Sequence, residues 1–191
     1  MNAKRASAPA QINIPRDMWT QVVEIDLPAM VEFERPSGGD NAILEASEML
    51  SSAKNPVILN GAGVVLSEGA VESSKSLAER LDAAVCVGYQ HNDAFPGSHP
   101  LFAGPLGYNG SKAAMELIKD ADVVLCLGTR LNPFSTLPGY GIDYWPKNAK
   151  IIQVDINPDR IGLTKKVSVG IIGDAALVAN KILSNLSLIH I

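Results

Sequence analysis

The first two dozen residues carry no sustained hydrophobic period. Gln11 to Ile14 alternate polar and apolar in the manner of a strand, and Pro15-Arg16-Asp17 ends the alternation. From Ile25 to Gly39 the chain has two prolines, a Gly-Gly pair and no repeat, which predicts a linker and a domain boundary near residue 38. Beyond it, helical and strand patterns alternate. Asp40 is placed to cap a helix in which Ile43, Leu44, Ser47 and Leu50 share helical spacing, and Pro56 opens the run VILN. Gly61-Ala62-Gly63 turns the chain into a second helical stretch whose apolar positions are Leu66, Ala70, Leu77 and Leu81. Ala84 to Gly88 (AVCVG) reads as a short buried strand. The Gly/Pro-rich text from Tyr89 to Tyr108 reads as one long loop, leading to Asn109 as the cap of the helix GSKAAMELIKDA. Val123–Leu127, Ile151–Ile156 and Val167–Ile172 complete a set of five strands after residue 55, and Asp174 caps the last helix.

Strands that are apolar throughout, rather than alternating, need cover on both faces, and helices between them supply it. The expected fold is therefore α/β, a doubly wound and mostly parallel sheet. In such sheets ligands sit beyond the carboxyl ends of the strands.

Composition narrows the partners. The 191 residues suit one domain of roughly 100–200 residues with a little extra chain. With 47% apolar and 19% charged residues, the chain fills a core and is not disordered. A net charge of −4 without a basic block argues against nucleic acid or an anionic membrane and leaves a small-molecule substrate. The longest uncharged run, Ala94 to Ser111, holds Pro96, Pro100 and Pro105 and cannot be a spanning helix. The opening MNAKRASAPAQINI lacks the apolar stretch of a secretory signal, so a cytoplasmic protein is expected. Cys86 and Cys126, each inside an apolar run, read as reduced core thiols, with no metal site.

The strand ends hold the candidate chemistry. Asn60-Gly61-Ala62-Gly63-Val64-Val65-Leu66 begins like a dinucleotide fingerprint but has Leu66 in place of the third glycine. The acid expected after the second strand is also missing, Gly88-Tyr89-Gln90 standing there, which disfavours ordinary NAD binding. Gly61 and Gly63 either line a nucleotide or only permit a tight turn. Gly107 to Ser111 would present bare backbone N–H groups to an anion. His91, in the same long loop, either donates to an anion or makes a structural hydrogen bond. Gly128-Thr129-Arg130 follows the VVLCL strand and Asp155 ends IIQVDI; Arg130 and Asp155 either hold phosphate and ribose or form a mutual salt bridge and turn cap. No G-x-S-x-G elbow, P-loop or metal-spaced cluster accompanies them, so no motif here supplies catalysis by itself.

The strings PVILNGAG, HPLFAGPLGYNGSKAA, ADVVLCLGTRLNPF, KIIQVDINPDRIG and GDA resemble the Rossmann-like central domain of thiamine-diphosphate-dependent enzymes of the acetolactate synthase and pyruvate oxidase superfamily. GYQHNDAFPGSHPLFAGPLGYNGSKAAMELI and GTRLNPFSTLPGYGIDYWP are more closely similar to the sulfoacetaldehyde acetyltransferases within it. The resemblance implies a full-length, homo-oligomeric enzyme (dimer or tetramer) that uses thiamine diphosphate and Mg2+ to turn sulfoacetaldehyde and phosphate into acetyl phosphate and sulfite. It implies that the activating glutamate and the Mg2+–diphosphate segment lie in domains on either side, so that this chain alone is inactive. Residues 1–24 would then be the tail of the amino-terminal pyrimidine-binding domain, 25–39 the linker, and 40–185 the central domain. Residues 186–191, LSLIHI, resemble translated adapter sequence and are expected to be a non-native tail, which leaves His190 without a function. By the same resemblance Gly61, Gly63, Gly107, Gly128, Arg130 and Asp155 form a candidate nucleotide pocket, and the loops carrying His91 and Asn132 reach toward the substrate. Flavin-binding relatives carry acidic residues where this chain has Leu131-Asn132-Pro133-Phe134, which speaks against FAD. The alternatives are the central domain of an acetolactate synthase- or oxalyl-CoA decarboxylase-like enzyme, or a non-catalytic nucleotide-binding and oligomerisation module.

Overall fold

The structure is a computed structural model that describes residues 8–29 and 31–189, with side chains as far as Leu186. It divides into two units, Met1–Arg35 and Pro36–Ile191. In the first, the described residues form only a 3-10 turn at Arg16–Thr20, and Ile12, Trp19 and Val22 are exposed. Gln11 to Ile14 make no strand. Their alternation suits a half-buried strand, and an isolated strand without a partner to complete its hydrogen bonds is not stable.

The second unit is the α/β domain. Helix α1 (Asp40–Ser51) buries Ile43, Ala46, Ser47 and Leu50 along one stripe. Strand β1 (Pro56–Asn60) leads to a one-turn helix α2 (Ala62–Val65), and α3 (Ala70–Leu81) returns the chain to β2 (Ala84–Gly88). The single helical stretch expected here is broken between α2 and α3, where Gly69 has φ 75° and Leu66 is 68% exposed rather than in the core.

A sixth strand, β3 (Phe102–Leu106), lies inside the segment expected to be one loop. It is the edge strand beside β2, where Pro105 deprives the sheet of no interior hydrogen bond, and the β2–β3 register slips at Val85/Cys86. Helix α4 (Lys112–Lys119) follows, capped by Ser111 rather than Asn109; the Ser111 side chain accepts from the Ala114 amide. Gly39, not Asp40, occupies the cap of α1, and Asp40 in its first turn pairs with Lys181 at 3.0 Å.

Strand β4 (Val123–Leu127), one-turn helix α5 (Pro133–Thr136), strands β5 (Lys150–Asp155) and β6 (Val169–Ile172) and helix α6 (Ala175–Ile189) complete the domain. The sheet order is β3-β2-β1-β4-β5-β6 with every pair parallel. This is the expected doubly wound fold, with its topological switch between β1 and β4. All five β4 residues are buried because apolar clusters cover both faces of the sheet: Leu50, Leu77 and Ile182 belong to one, Met115, Ile118 and Tyr144 to the other. Cys86 and Cys126 are free and buried in the second cluster, where desolvation pushes the Cys86 thiol up to about 12 and the Cys126 thiol higher still. Asp174 starts α6 as expected, accepting from the amides of Ala176 and Leu177. Leu186, where a tail was expected to begin, is fully buried, and the helix continues to Ile189; His190 and Ile191 lie outside the described residues.

Candidate functional site

The crevice at the switch point is built first from glycine backbones. After β1 the Gly61 amide donates to the Leu127 carbonyl at 3.0 Å, and the Gly63 amide donates to the Gly128 carbonyl at 2.8 Å. A Cβ on Gly63 would stand 2.6 Å from Gly128 Cα, and one on Gly128, which has φ 61°, would stand 2.7 Å from Gly63 Cα. The β1 and β4 turns therefore interlock backbone to backbone, a fit that a side chain at either position would wedge apart.

Beside this joint, Gln153 in β5 is buried and fully committed: its Nε2 donates to the carbonyls of Thr129 and Arg160, and its Oε1 accepts from the Gly162 amide. Asp155, two residues on, is 4% exposed. Its Oδ1 accepts from the Asn157 amide at 2.9 Å and lies 3.8 Å from Arg160 Nη1. Burial raises the Asp155 pKa, opposed by the Asn157 amide and by the charges of Arg160 and Arg130. The closer salt-bridge partner of Asp155 is thus Arg160, while Arg130 is exposed and acts on it through charge.

Gly107 sits apart from this group, in the β3–α4 turn. It has φ 100°, and a Cβ there would collide with the Phe134 carbonyl oxygen and stand 2.7 Å from Ser135 Cα. Most of the amides expected to be bare are engaged. Gly107 N–H reaches the Tyr144 hydroxyl, Tyr108 N–H donates to Phe134, Gly110 N–H to Gly107 and Ser111 N–H to Pro105. Backbone carbonyls and the Tyr144 hydroxyl take up these donors, the ordinary fate of half-buried backbone. Burial pushes the Tyr144 hydroxyl up to about 12, against the Gly107 amide.

His91 and Asn132 come from different loops. His91 follows β2, its amide donating to the Gly88 carbonyl at 2.8 Å and its carbonyl accepting from Ala94. Asn132 caps α5, its Oδ1 accepting from the Phe134 amide at 2.9 Å. Above Gly88 the two loops converge: a Cβ on Gly88 would be 3.5 Å from Ser135 Oγ and 3.9 Å from the His91 ring. The pattern of residues had not marked Ser135, Gln153 or Asn60. Asn60 is buried at the end of β1, donating to Ser74 Oγ and to the Ala94 carbonyl, so that it anchors the His91 loop. A lone amide inside the apolar runs VILN and IIQVDI was the available signal for Asn60 and Gln153, since a buried amide must find partners. Among the described residues no group of three or more His, Cys, Asp or Glu is placed to hold a metal ion.

A six-stranded parallel sheet in this order, with interlocked glycine turns and an Asp–Arg pair beyond its carboxyl edge, defines a doubly wound Rossmann-type domain. The family model described as thiamine pyrophosphate enzyme, central domain, matches residues 43–182, and the chain belongs to that family. The chain is 74% identical over 187 residues to the sulfoacetaldehyde acetyltransferase of Roseovarius nubinhibens, covering 98% of this chain and 31% of that protein. It is 70% identical over 184 residues to the sulfoacetaldehyde acetyltransferase of Rhodobacter capsulatus, covering 96% and 31%. The chain thus spans about a third of the length of these relatives. The benzoylformate decarboxylase of Polynucleobacter necessarius shares the fold, with a TM-score of 0.69 over 90% of this chain and 32% of that one at 22% identity.

Proposed function

We propose that this chain is the central domain of a thiamine-diphosphate-dependent acetyltransferase that converts sulfoacetaldehyde and phosphate to acetyl phosphate and sulfite. The observation that carries this reading is the 74% identity to a sulfoacetaldehyde acetyltransferase across 98% of the chain. The reaction cleaves the carbon–sulfur bond of the substrate, releases sulfite and joins the two-carbon unit to a phosphate oxygen. Thiamine diphosphate, held with Mg2+ by the flanking domains, supplies the nucleophilic carbon for this chemistry.

The part played by this chain is to present its carboxyl-edge loops. His91 and Asn132 are the substrate-proximal residues in this reading, one loop anchored by Asn60 and the other by its own cap. Gly61, Gly63, Gly107, Gly128, Arg130 and Asp155 are the remnant of a nucleotide pocket. A reading without FAD is supported by the sequence Leu131–Phe134 and by the commitment of the Gly63 amide to a carbonyl rather than to a phosphate. Residues 1–24 belong to the preceding domain in this reading, 25–39 to the linker and 40–185 to the central domain, with 186–191 outside the native sequence. The whole enzyme is a cytoplasmic homo-oligomer. Among the described residues no helix is long and apolar enough to cross a membrane.

The test is a full-length protein containing this chain, loaded with thiamine diphosphate and Mg2+ and offered sulfoacetaldehyde or pyruvate. Sulfite release from sulfoacetaldehyde is expected. Turnover of pyruvate alone would overturn the substrate and retain the family.

A further inference from the structure

The glycines at the carboxyl edge are not equivalent. Gly63, Gly107 and Gly128 are required by close backbone approach, and the last two also by positive φ. Gly88 meets neither condition: its φ is outside the left-handed region, and a Cβ would make only ordinary contacts, to Ser135 Oγ and to the His91 ring. What its missing side chain leaves is room of about a methyl group between the Ser135 hydroxyl and the Cδ2 edge of the His91 ring. Among the described residues neither the Ser135 hydroxyl nor the His91 ring has a hydrogen-bond or ion-pair partner. Both residues are half-buried and their backbones are fixed. The Ser135 amide donates to Asn132 and its carbonyl accepts from the buried Tyr144 hydroxyl, while the His91 loop is tied to Gly88 and, through Ala94, to Asn60. Two uncommitted donors on rigid loops, facing one gap at the ligand edge of a parallel sheet, suit an oxyanion.

We infer that Gly88, His91 and Ser135 bound a pocket for a tetrahedral oxyanion, either the sulfonate of the aldehyde substrate or the phosphate acceptor; this assignment rests on the acetyltransferase reading above. The serine hydroxyl and an imidazole N–H donate to the oxyanion, and the bare Cα of Gly88 is the floor. Loss of one such charge-assisted bond is expected to raise KM roughly tenfold with kcat little changed, because the contact is present in ground and transition state alike.

The test uses Gly88→Ala and Ser135→Ala in the full-length enzyme, with KM measured separately for sulfoacetaldehyde and phosphate. Gly88→Ala is expected to keep the wild-type melting temperature and to raise one of the two KM values, which identifies the oxyanion. Both KM values unchanged in both variants would overturn the pocket. If the unaltered enzyme does not turn over sulfoacetaldehyde, the acetyltransferase reading fails, and calorimetric binding of ethanesulfonate and of inorganic phosphate decides the pocket independently. Binding of either probe that weakens roughly tenfold in Gly88→Ala supports it, and binding of neither, or equal binding by the variant, overturns it.

Discussion

At the scale of single residues, glycine and aspartate each do opposite things at different positions. Gly63→Ala would bring a methyl group 2.6 Å from Gly128 Cα, against backbone that cannot give way. A loss of about 1–3 kcal/mol in a denaturant titration is expected, as for other overpacked sites. Asp122 and Asp155 titrate with opposite signs. Burial raises the Asp122 pKa, but hydrogen bonds from the Lys54 and Asn55 amides outweigh it and hold the carboxyl below its ordinary value. Its stabilisation is therefore complete above the unfolded pKa, near about 3.9, and is lost as pH falls through the lower folded value. Asp155 is raised by burial, so the fold favours its neutral form, and its contribution declines as pH rises from that same point through the folded value. Melting temperatures across the acid range check both signs. Asp122→Ala should shrink the loss on acidification, and Asp155→Asn should remove the decline on the rising side.

At the scale of elements, caps separate what the pattern predicts from what the chain builds. Ser111→Ala removes the side chain that accepts the Ala114 amide and should cost about 0.5–1 kcal/mol, whereas Asn109→Ala should stay within about 0.5 kcal/mol. A single thermal or chemical melt of each variant distinguishes them. Five of the six strands were legible as short apolar runs, four of them buried on both faces and β6, at an edge, buried only at Val169 and Ile171. Strand β3 was not, because FAGPL carries a glycine and a proline, and only its place at the sheet edge makes them tolerable. The break between α2 and α3 was hidden for a related reason. Leu66 and Ala70 have helical spacing, but Gly69 takes a left-handed conformation that no periodicity reveals. The positions of Gly61, Gly63, Gly128, Arg130 and Asp155 at the edge followed from the strand ends alone. That Arg160 approaches the Asp155 carboxylate, and that Ser135 meets His91 over Gly88, depended on loop paths that local sequence does not encode.

At the scale of the whole molecule, the domain is organised so that both sheet faces are spent on packing and only the carboxyl edge is left for chemistry. The helices α1, α3 and α6 cover one face and α4 the other. The chain is about a third of its relatives' length, and its own residues offer donors and charge at that edge but neither a metal cluster among the described residues nor an activated thiol. The most direct measurement is the product balance of the full-length enzyme supplied with sulfoacetaldehyde and phosphate. The account predicts sulfite and acetyl phosphate in equal amounts, both abolished when thiamine diphosphate is withheld, and acetyl phosphate abolished when phosphate is withheld. Sulfite without acetyl phosphate in the presence of phosphate, or neither product from a folded, cofactor-loaded enzyme, would contradict it.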